Sequence, residues 1–196
     1  MPKIILTVHQ KGGVGKSTLS FNLAVNLKEN AKVCIIDFDA QGSLYQIREL
    51  SEVPIFLGEE LKEVQNSDFD FIFIDTPPYL SSTLPELCNL ADVIIIPTKA
   101  GVLDLLAIKS TIDIIGQSGN ENKAVIVFNM VKPNTTLTEE IKNQLSEYNI
   151  RVSKNMISDL VAFSRSVLIN GVEDNNKAQK QIDALTKEIL TIAINN

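Results

Sequence analysis

The chain has 196 residues and a formal net charge of −6, with 44% apolar and 21% charged residues. These proportions are those of a globular protein, and they exclude a disordered chain, a collagen-like repeat and a disulfide scaffold. No apolar run approaches the ~20 residues that span a bilayer, and the first residues do not resemble a signal peptide, so we expect a cytoplasmic protein. Cys34 and Cys88 lie far apart in apolar surroundings, which predicts small buried side chains rather than a metal or redox site.

Apolar, β-rich runs alternate with helical patterns along the chain. Strands are predicted at 4–8, 33–36, 69–74, 93–96 and 125–128. Helices are predicted at 16–29, 83–90, 102–117, 136–147, 159–169 and 176–194. The strands are nearly continuous in Val, Ile and Phe, which is typical of strands buried on both faces, and their alternation with helices indicates βαβ units. We therefore predict a single α/β domain over residues 1–196, with a doubly wound, mostly parallel sheet and helices on both faces.

The last predicted helix carries one apolar stripe. Its members are Ala178, Ile182, Leu185, Ile189 and Ile192. The stripe could pack against the sheet or lie on a membrane surface. The polar face of this helix holds acids as well as lysines and has no aromatic anchor, whereas membrane-surface helices have a strongly cationic face. We favour packing and expect no membrane partner.

A glycine-rich loop follows the first predicted strand. Residues 9–18 read HQKGGVGKST, in which Gln10 replaces the first glycine of the usual phosphate-loop pattern G-x-x-x-x-G-K-[ST]. Glycines let the backbone curl with its N–H groups turned inward, and this forms a nest for phosphate oxygens beside the positive end of the next helix. The cradle would consist of Gly12, Gly13, Val14 and Gly15. A chance glycine-rich turn is the alternative, but the flanking strand and helix favour phosphate binding.

The same loop carries side chains suited to a nucleoside triphosphate and its metal ion. We expect Lys16 to reach the β- and γ-phosphates, Ser17 to ligate Mg²⁺ and Thr18 to support the α-phosphate. A second lysine, Lys11, precedes the glycines. It is either a solvated loop residue or a cation for phosphate charge that Lys16 cannot reach.

Acidic residues follow two further predicted strands. Asp37 and Asp39 come after 33–36, and Asp75 follows 69–74. Because open α/β sheets bind ligands at the carboxyl ends of their strands, these acids should meet the glycine loop. We expect Asp75, in the Walker-B position, to hold Mg²⁺, Asp39 to contact the metal or the attacking water, and Asp37 to support that geometry. Solvated strand caps are the alternative.

Three motifs together resemble the ParA/MinD superfamily of deviant Walker-A ATPases, and most of all its small ParA-type partition ATPases of the ParF and Soj kind. They are KGGVGKST at 11–18, DFDAQG at 37–42 and DTPP at 75–78. The resemblance covers nearly the whole chain and implies that it binds ATP and Mg²⁺.

The resemblance also assigns residue roles. It implies that Lys11 is a signature lysine, which reaches across a two-fold homodimer to the nucleotide of the partner subunit. Lys11, Lys16 and Asp39 would then be the catalytic residues, while Thr76 and Pro77 would belong with Asp37 to the switch and support segments.

The chain departs from that family at two positions. Ala40 stands where many relatives have proline, and His9 stands where asparagine is frequent. We assign His9 a structural role and no part in catalysis. The adenine site is weakly marked: Asn129, after the strand at 125–128, is either a contact to the base edge or an ordinary asparagine at a strand end.

The resemblance implies a slow, partner-stimulated ATPase for plasmid or chromosome partition, cytoplasmic and associated with the nucleoid. ATP would drive dimerisation, the dimer would bind DNA without sequence preference, and a centromere-binding adaptor of the ParB or ParG type would stimulate hydrolysis. A MinD-like protein on a membrane, or an ATPase that positions another protein assembly, is the competing function.

The DNA contacts must come from a local basic patch, since the chain is acidic overall. Residues 151–196 have a charge balance of +1, whereas residues 1–150 have −7. Phosphate contacts need only such a patch, duplicated by a dimer, and Arg151, Lys154 and Arg165 are the candidates. Scattered solvated charges are the alternative.

Overall fold

A computed structural model describes residues 1–39, 41–79, 82–132, 137–145 and 147–195. In this part of the chain seven strands form one sheet, in the spatial order β3-β2-β4-β1-β5-β6-β7. They are β1 (Lys3–Thr7), β2 (Val33–Asp37), β3 (Ile55–Leu57), β4 (Phe71–Asp75), β5 (Val93–Thr98), β6 (Ala124–Phe128) and β7 (Arg151–Val152). Every ladder between neighbouring strands is parallel.

Helices cover both faces of this sheet. They are α1 (Lys16–Leu27), α2 (Leu61–Gln65), α3 (Leu84–Leu90), α4 (Val102–Gln117), α5 (Leu137–Leu145), α6 (Val161–Ile169) and α7 (Asn176–Asn195). Buried side chains of α1, α6 and α7 share one apolar core with the sheet, and those of α2, α3, α4 and α5 share the core on the opposite face. The predicted doubly wound α/β architecture is therefore confirmed.

The central strands are apolar along most of their length because the sheet is covered on both sides. All six residues of β5 and all five of β6 are buried. A strand buried on one face alone would alternate apolar and polar residues, which these strands do not do. Both cysteines are buried free thiols within the same cores, as predicted.

The structure contains each predicted element, with small shifts at the ends, and three elements that the sequence did not indicate. The added elements are β3, β7 and α2, which have three, two and five residues. Such short segments hold fewer than two hydrophobic periods, so they show no repeat to detect. The predicted helix at 136–147 corresponds to α5, and residues 136 and 146 lie outside the described residues.

The stripe on α7 packs into the core. Ala178, Ile182, Leu185, Ile189 and Ile192 are all buried, together with side chains of α1 and the sheet. The packing interpretation of this helix is confirmed, and its apolar side is not available to a lipid surface. Within the described ranges, every helix is too short or too polar to pass through a bilayer.

Candidate nucleotide-binding site

The register of the sheet brings three strand ends together. Thr7 of β1 lies opposite Asp75 of β4, and Asp75 lies opposite Asp37 of β2. The loop at 8–15 leaves β1 at the same edge and leads directly into α1. The glycine loop and the two acids therefore meet, as the strand-end argument predicts.

Two glycines of the loop have backbone conformations that other residues adopt only with strain. Gly13 has φ +70° and Gly15 has φ +87°, both in the left-handed region. Gly15 is also the N-cap of α1. A β-carbon at Gly15 would lie 2.3 Å from Nδ2 of Asn129, so this position has no room for a side chain.

Asn129 holds the loop in place. Its Nδ2 donates to the carbonyl oxygen of Val14 at 2.8 Å, and its Oδ1 accepts the N–H of Met130 at 3.0 Å. Both side-chain atoms are thus engaged within the protein, and the residue is 5% exposed. Loop support is a role that the sequence did not indicate, and contact with the base edge stays a prediction.

A small pocket opens beside Asn129 and the start of α1. Its lining includes Thr18, Met130, Ser158, Asp159, Leu160 and Phe163. The segment that precedes α6 forms most of one wall, a contribution that sequence analysis missed because no motif marks it. This pocket, adjacent to the phosphate loop, is the candidate site for the nucleotide base.

Lys16 is buried without an acidic partner. It is 7% exposed, and its ammonium donates to the carbonyl oxygen of Lys11 at 3.5 Å, the limit for a hydrogen bond. No carboxylate of the described residues lies within ion-pair distance of it. Burial lowers the pKa of Lys16, and the charges of Asp75 and Asp39 oppose this effect. A buried ammonium with so few partners favours an anionic ligand.

Asp75 is completely buried, and within the described residues neither of its carboxyl oxygens has a hydrogen-bond partner. Burial raises its pKa to about 7, and the negative charges of Asp37 and Asp39 act in the same direction. The Ser17 hydroxyl and the Lys16 ammonium oppose the shift. The Ser17 hydroxyl is close enough to the Asp75 carboxyl to lower its pKa, but the two groups do not have the geometry of a hydrogen bond.

Asp75 and Ser17 fit a magnesium ion that arrives with phosphate. Carboxyl oxygens that are buried and unpartnered are expected where a cation completes the site, and Mg²⁺ prefers one or two carboxylates, waters and phosphate oxygens. The described part of the chain has no group of three or more His, Cys, Asp or Glu residues that could hold a metal ion. Waters and phosphate oxygens would supply the rest of the ligand set, and Asp39 stays a predicted ligand.

Asp37 organises the segment that follows β2. Its carboxylate accepts the backbone N–H of Asp39 at 2.9 Å and those of Leu44 and Tyr45 at 3.0 Å. These contacts hold the backbone of the segment, and the supporting role of Asp37 in the reaction stays a prediction. Asp39 is half-buried and accepts the N–H of Gln41 at 3.0 Å. Ala40, the first departure from the family pattern, lies outside the described residues.

The far end of this segment is attached to α6. Asn170, the C-cap of α6, accepts the N–H of Glu52 at 2.9 Å and donates to the carbonyl oxygen of Leu50 at 2.8 Å. Residues 44–52 are thus fixed at one end by Asp37 and at the other by Asn170.

Thr76 connects the end of β4 to β1 and α1. Its hydroxyl donates to the carbonyl oxygen of Thr7 at 2.9 Å, and the Ser20 hydroxyl donates to Oγ1 of Thr7 at 2.8 Å. Pro77 follows and lines a small cavity next to His9. Both predicted switch residues therefore lie against the phosphate-loop side of the sheet.

Lys11 lies at the entrance of the loop and turns to α4. Its ammonium pairs with Oδ1 of Asp104 at 2.7 Å, and its backbone N–H donates to Nδ1 of His9 at 2.9 Å. Sequence analysis missed Asp104, because an acid in the first turn of a helix is common and carries no motif. His9 is completely buried, and its Nε2 has no partner among the described residues.

Two of the three candidate DNA contacts lie together. Arg151 and Lys154 are exposed and line an open cleft against α7, whose walls also include Lys187 and Glu188. Arg165 is exposed on α6 and does not line this cleft. The predicted patch is therefore divided between two parts of the surface.

A parallel sheet, a glycine loop after its first strand and a buried lysine near a buried acid define the P-loop class of nucleotide-binding proteins. Residues 5–173 match the family described as the CobQ/CobB/MinD/ParA nucleotide binding domain, and the chain belongs to this family. The predicted ParA/MinD membership is thus confirmed.

Relatives within the family serve different cargoes. The chain is 28% identical over 177 residues to maintenance of carboxysome distribution protein A of Halothiobacillus neapolitanus, covering 83% of this chain and 82% of that protein. It is 25% identical over 201 residues to the chromosome-partitioning ATPase Soj of Treponema pallidum, covering 76% and 79%. The solved ATP complex of a Cyanothece McdA variant has the same fold, with a TM-score of 0.77 at 17% identity, covering 97% and 96%.

Replacement of Gly15 by alanine should weaken nucleotide binding roughly tenfold or more, because the new β-carbon displaces Asn129 and strains the loop. Gly119→Ala is the matched control, since Gly119 has φ +70° but no atom within 4 Å of the added carbon. Calorimetric titration with ATP and Mg²⁺ measures both variants. Equal affinities for Gly15→Ala and the wild type would contradict the described packing of the loop.

The buried environment of His9 makes the stability of the protein sensitive to acid. Burial lowers the pKa of His9 to about 4, and the positive charge of Lys16 adds to this shift. The unfolded chain therefore takes up this proton at higher pH than the folded one, so stability that is fully present above pH ~6.5 is lost as the pH falls towards 4. The loss should amount to about 3 kcal/mol.

The chain has one histidine, so the experiment needs no assignment. The imidazole signal followed by NMR should titrate near pH 4, and urea unfolding between pH 7 and 4 should lose less stability for His9→Asn than for the wild type. Titration of the signal near pH 6.5 would mean that His9 is accessible to water.

Proposed function

We propose that this chain is a partner-stimulated ParA-type ATPase that partitions a plasmid or chromosome. In this proposal ATP drives two chains into a dimer with both nucleotides at the interface, the dimer binds DNA without sequence preference, and a centromere-bound adaptor of the ParB or ParG type triggers hydrolysis and release. Membership of the ParA/MinD ATPase family and the likeness to Soj support this proposal.

The observation that carries the proposal is the different placement of the two loop lysines. Lys16 is buried at the start of α1, whereas the side chain of Lys11 is 36% exposed and pairs with α4 outside the loop. Lys16 is therefore suited to the nucleotide of its own chain. Lys11 is suited to phosphate charge that approaches from outside, which a second chain would present.

The site residues then divide the chemistry. The backbone N–H groups around Gly12, Gly13 and Gly15 bind the phosphates, and Lys16 neutralises their charge. Ser17 and Asp75 would hold Mg²⁺, which would supply positive charge next to the phosphates.

Asp39 is proposed to orient the attacking water, and Lys11 of the partner subunit to stabilise the developing charge in trans. Asp37 fixes the backbone of Asp39 through a hydrogen bond, which supports the proposed orientation. Contact with the terminal phosphate would order the segments that carry Asp39 and Thr76. Departure of that phosphate would release both segments.

The DNA surface is proposed to run along α7 and β7. We define it as the basic α7 surface, formed by five exposed side chains: Arg151, Lys154, Lys177, Lys180 and Lys187. None of the five forms an ion pair with another described residue. Glu188 lies among them and accepts three hydrogen bonds from residues 153–155, so its single negative charge is held toward β7 and offsets only part of the positive charge of the surface. A dimer presents this surface twice, which favours a polyanion.

Transport of a protein assembly is the second candidate function. It is favoured by the likeness to the carboxysome distribution protein, which exceeds that to Soj in both identity and coverage. It uses the same ATP cycle and differs only in cargo and adaptor. A MinD-like membrane function through α7 is disfavoured, since the apolar stripe of that helix is buried.

Association should depend on ATP and on Lys11. In sedimentation velocity with Mg²⁺, the wild type should be monomeric with ADP and dimeric with a slowly hydrolysed ATP analogue, whereas Lys11→Ala should remain monomeric with both, because the trans cation is lost. Lys62→Ala, which removes an exposed lysine from α2, is the control and should dimerise normally. A wild type that is monomeric under every condition would refute the proposed dimer with both nucleotides at its interface.

DNA binding should depend on the basic α7 surface and on salt. The variant Lys154→Glu with Lys187→Glu should lose affinity for a random duplex at least about tenfold at 50 mM salt, because phosphate contacts dominate such binding. Lys62→Glu with Lys142→Glu makes the same charge change on α2 and α5 and is the matched control. Fluorescence anisotropy of the ATP-bound dimer measures both. Equal losses for the two variants would indicate a general charge effect and no binding surface.

A further inference from the structure

Lys11 is held from two sides within its own chain. Its backbone N–H donates to Nδ1 of His9 at 2.9 Å, and its ammonium contacts Oδ1 of Asp104 at 2.7 Å. His9 is completely buried and Asp104 is 7% exposed, so both partners are fixed by the core. Lys11 is the most exposed member of this group, since 36% of its side chain reaches solvent.

We infer that Asp104 competes with the phosphates of a second chain for the Lys11 ammonium, and thereby sets the ATP concentration at which two chains associate. This inference rests on the proposed function, in which Lys11 crosses between subunits. It adds Asp104 as a positioning residue that no sequence motif marks. The ATP concentration needed for association would then depend in part on a contact within the single, undimerised chain.

Competition follows from the geometry of the pair. In the pair the Lys11 ammonium lies 2.7 Å from the Asp104 carboxylate, which offsets its positive charge and directs it into its own chain, so the carboxylate competes with a phosphate of a second chain for it. The side chains are 36% and 10% exposed, and such partial burial protects the attraction from screening by water and salt. Opening the pair therefore opposes dimerisation measurably.

The position of Asp104 limits how strongly the ion pair opposes dimerisation. Asp104 lies in the first turn of α4, where backbone N–H groups are free and the positive end of the helix stabilises a carboxylate. The acid can thus lose Lys11 without becoming an isolated buried charge. The pair is strong enough to hold Lys11 in the free chain and weak enough to exchange.

The surface beside the pair supports approach of a second chain from this side. Leu103 and Leu106 are 72% and 65% exposed, and they lie on either side of Asp104 along α4. A second copy of this chain that reaches Lys11 also covers these leucines, and burial of their apolar surface offsets the lost ion pair.

The test compares Asp104→Asn with the wild type, because asparagine keeps the shape of the side chain and removes its charge. With Mg²⁺ and a slowly hydrolysed ATP analogue, sedimentation velocity gives the analogue concentration at which half of the chains are dimeric. We expect this concentration to fall about fivefold in Asp104→Asn, as for loss of a partly buried ion pair. The affinity of the isolated monomer for the analogue, measured at dilute protein, should be unchanged.

Asp183→Asn is the control, since Asp183 is exposed on α7, across the sheet from α4, and should leave the midpoint as in the wild type. Asp104→Glu restores the charge and should raise the midpoint again. Asp104→Ser checks that the effect comes from charge, and it should move the midpoint in the same direction as Asp104→Asn. Thermal unfolding confirms that each variant is folded.

Separate outcomes overturn the inference and the proposed function. If the wild type dimerises and Asp104→Asn has the same or a higher midpoint, the inference is wrong and the proposed function stands. A higher midpoint would place Asp104 in the dimer contact. If neither protein dimerises, the inference and the proposed function are both wrong. If only Asp104→Asn dimerises, the inference is supported, because the pair in the wild type would then prevent association altogether.

Discussion

Ladder pairing places Thr7, Asp75 and Asp37 side by side at the ends of β1, β4 and β2, and every contact of the site depends on that row. A slip of one residue in either ladder would turn a carboxylate to the opposite face of the sheet. Two-sided burial of the strands fixes the register, since the apolar residues before each acid fill both cores. The same burial that stabilises the sheet also removes the acids from water.

The free chain consequently carries polar groups whose bonding is incomplete. Lys16 is buried with one long contact, Asp75 has two unpartnered oxygens, and Nε2 of His9 has no acceptor among the described residues. Each such group opposes folding by about 1–3 kcal/mol, which the apolar cores must offset. Proteins keep arrangements of this kind at functional sites, where a ligand supplies the missing contacts. The site is thus more favourable with an anion and a cation than without them.

The sequence was informative where chemistry requires particular residues in a fixed order. The glycine loop, Lys16 and the strand-end acids follow from motif spacing and from two-sided strand burial, and the fold follows from strand and helix periodicity. Contacts that depend on tertiary placement were not predictable. Asp104 meets Lys11 across 93 positions, and Asn129 meets Val14 across 115. Neither residue type is unusual in its local context, so only the folded chain gives them a role.

The short strands at the two edges of the sheet were not predicted, for a different reason. β3 and β7 have too few residues to show a period, yet β7 contributes Arg151 to the cleft beside α7. Arg165 was grouped with Arg151 on charge alone, and the fold places it on α6, outside the cleft that Arg151 lines. Charge balance along a sequence locates basic residues, but the surface that they share depends on how the last two helices pack.

Residues 44–52 join the nucleotide-binding edge of the sheet to α6. Asp37 accepts the N–H groups of Leu44 and Tyr45 beside the phosphate loop, Arg48 stacks over the Tyr45 ring at 4.3 Å, and Asn170 binds the backbone of Leu50 and Glu52. The segment is therefore hydrogen-bonded at its start to the strand ends that carry the acids and at its end to the C-cap of α6. Its position depends on two separate parts of the molecule, so the acid that follows β2 and the helix next to α1 are linked through one continuous stretch of chain.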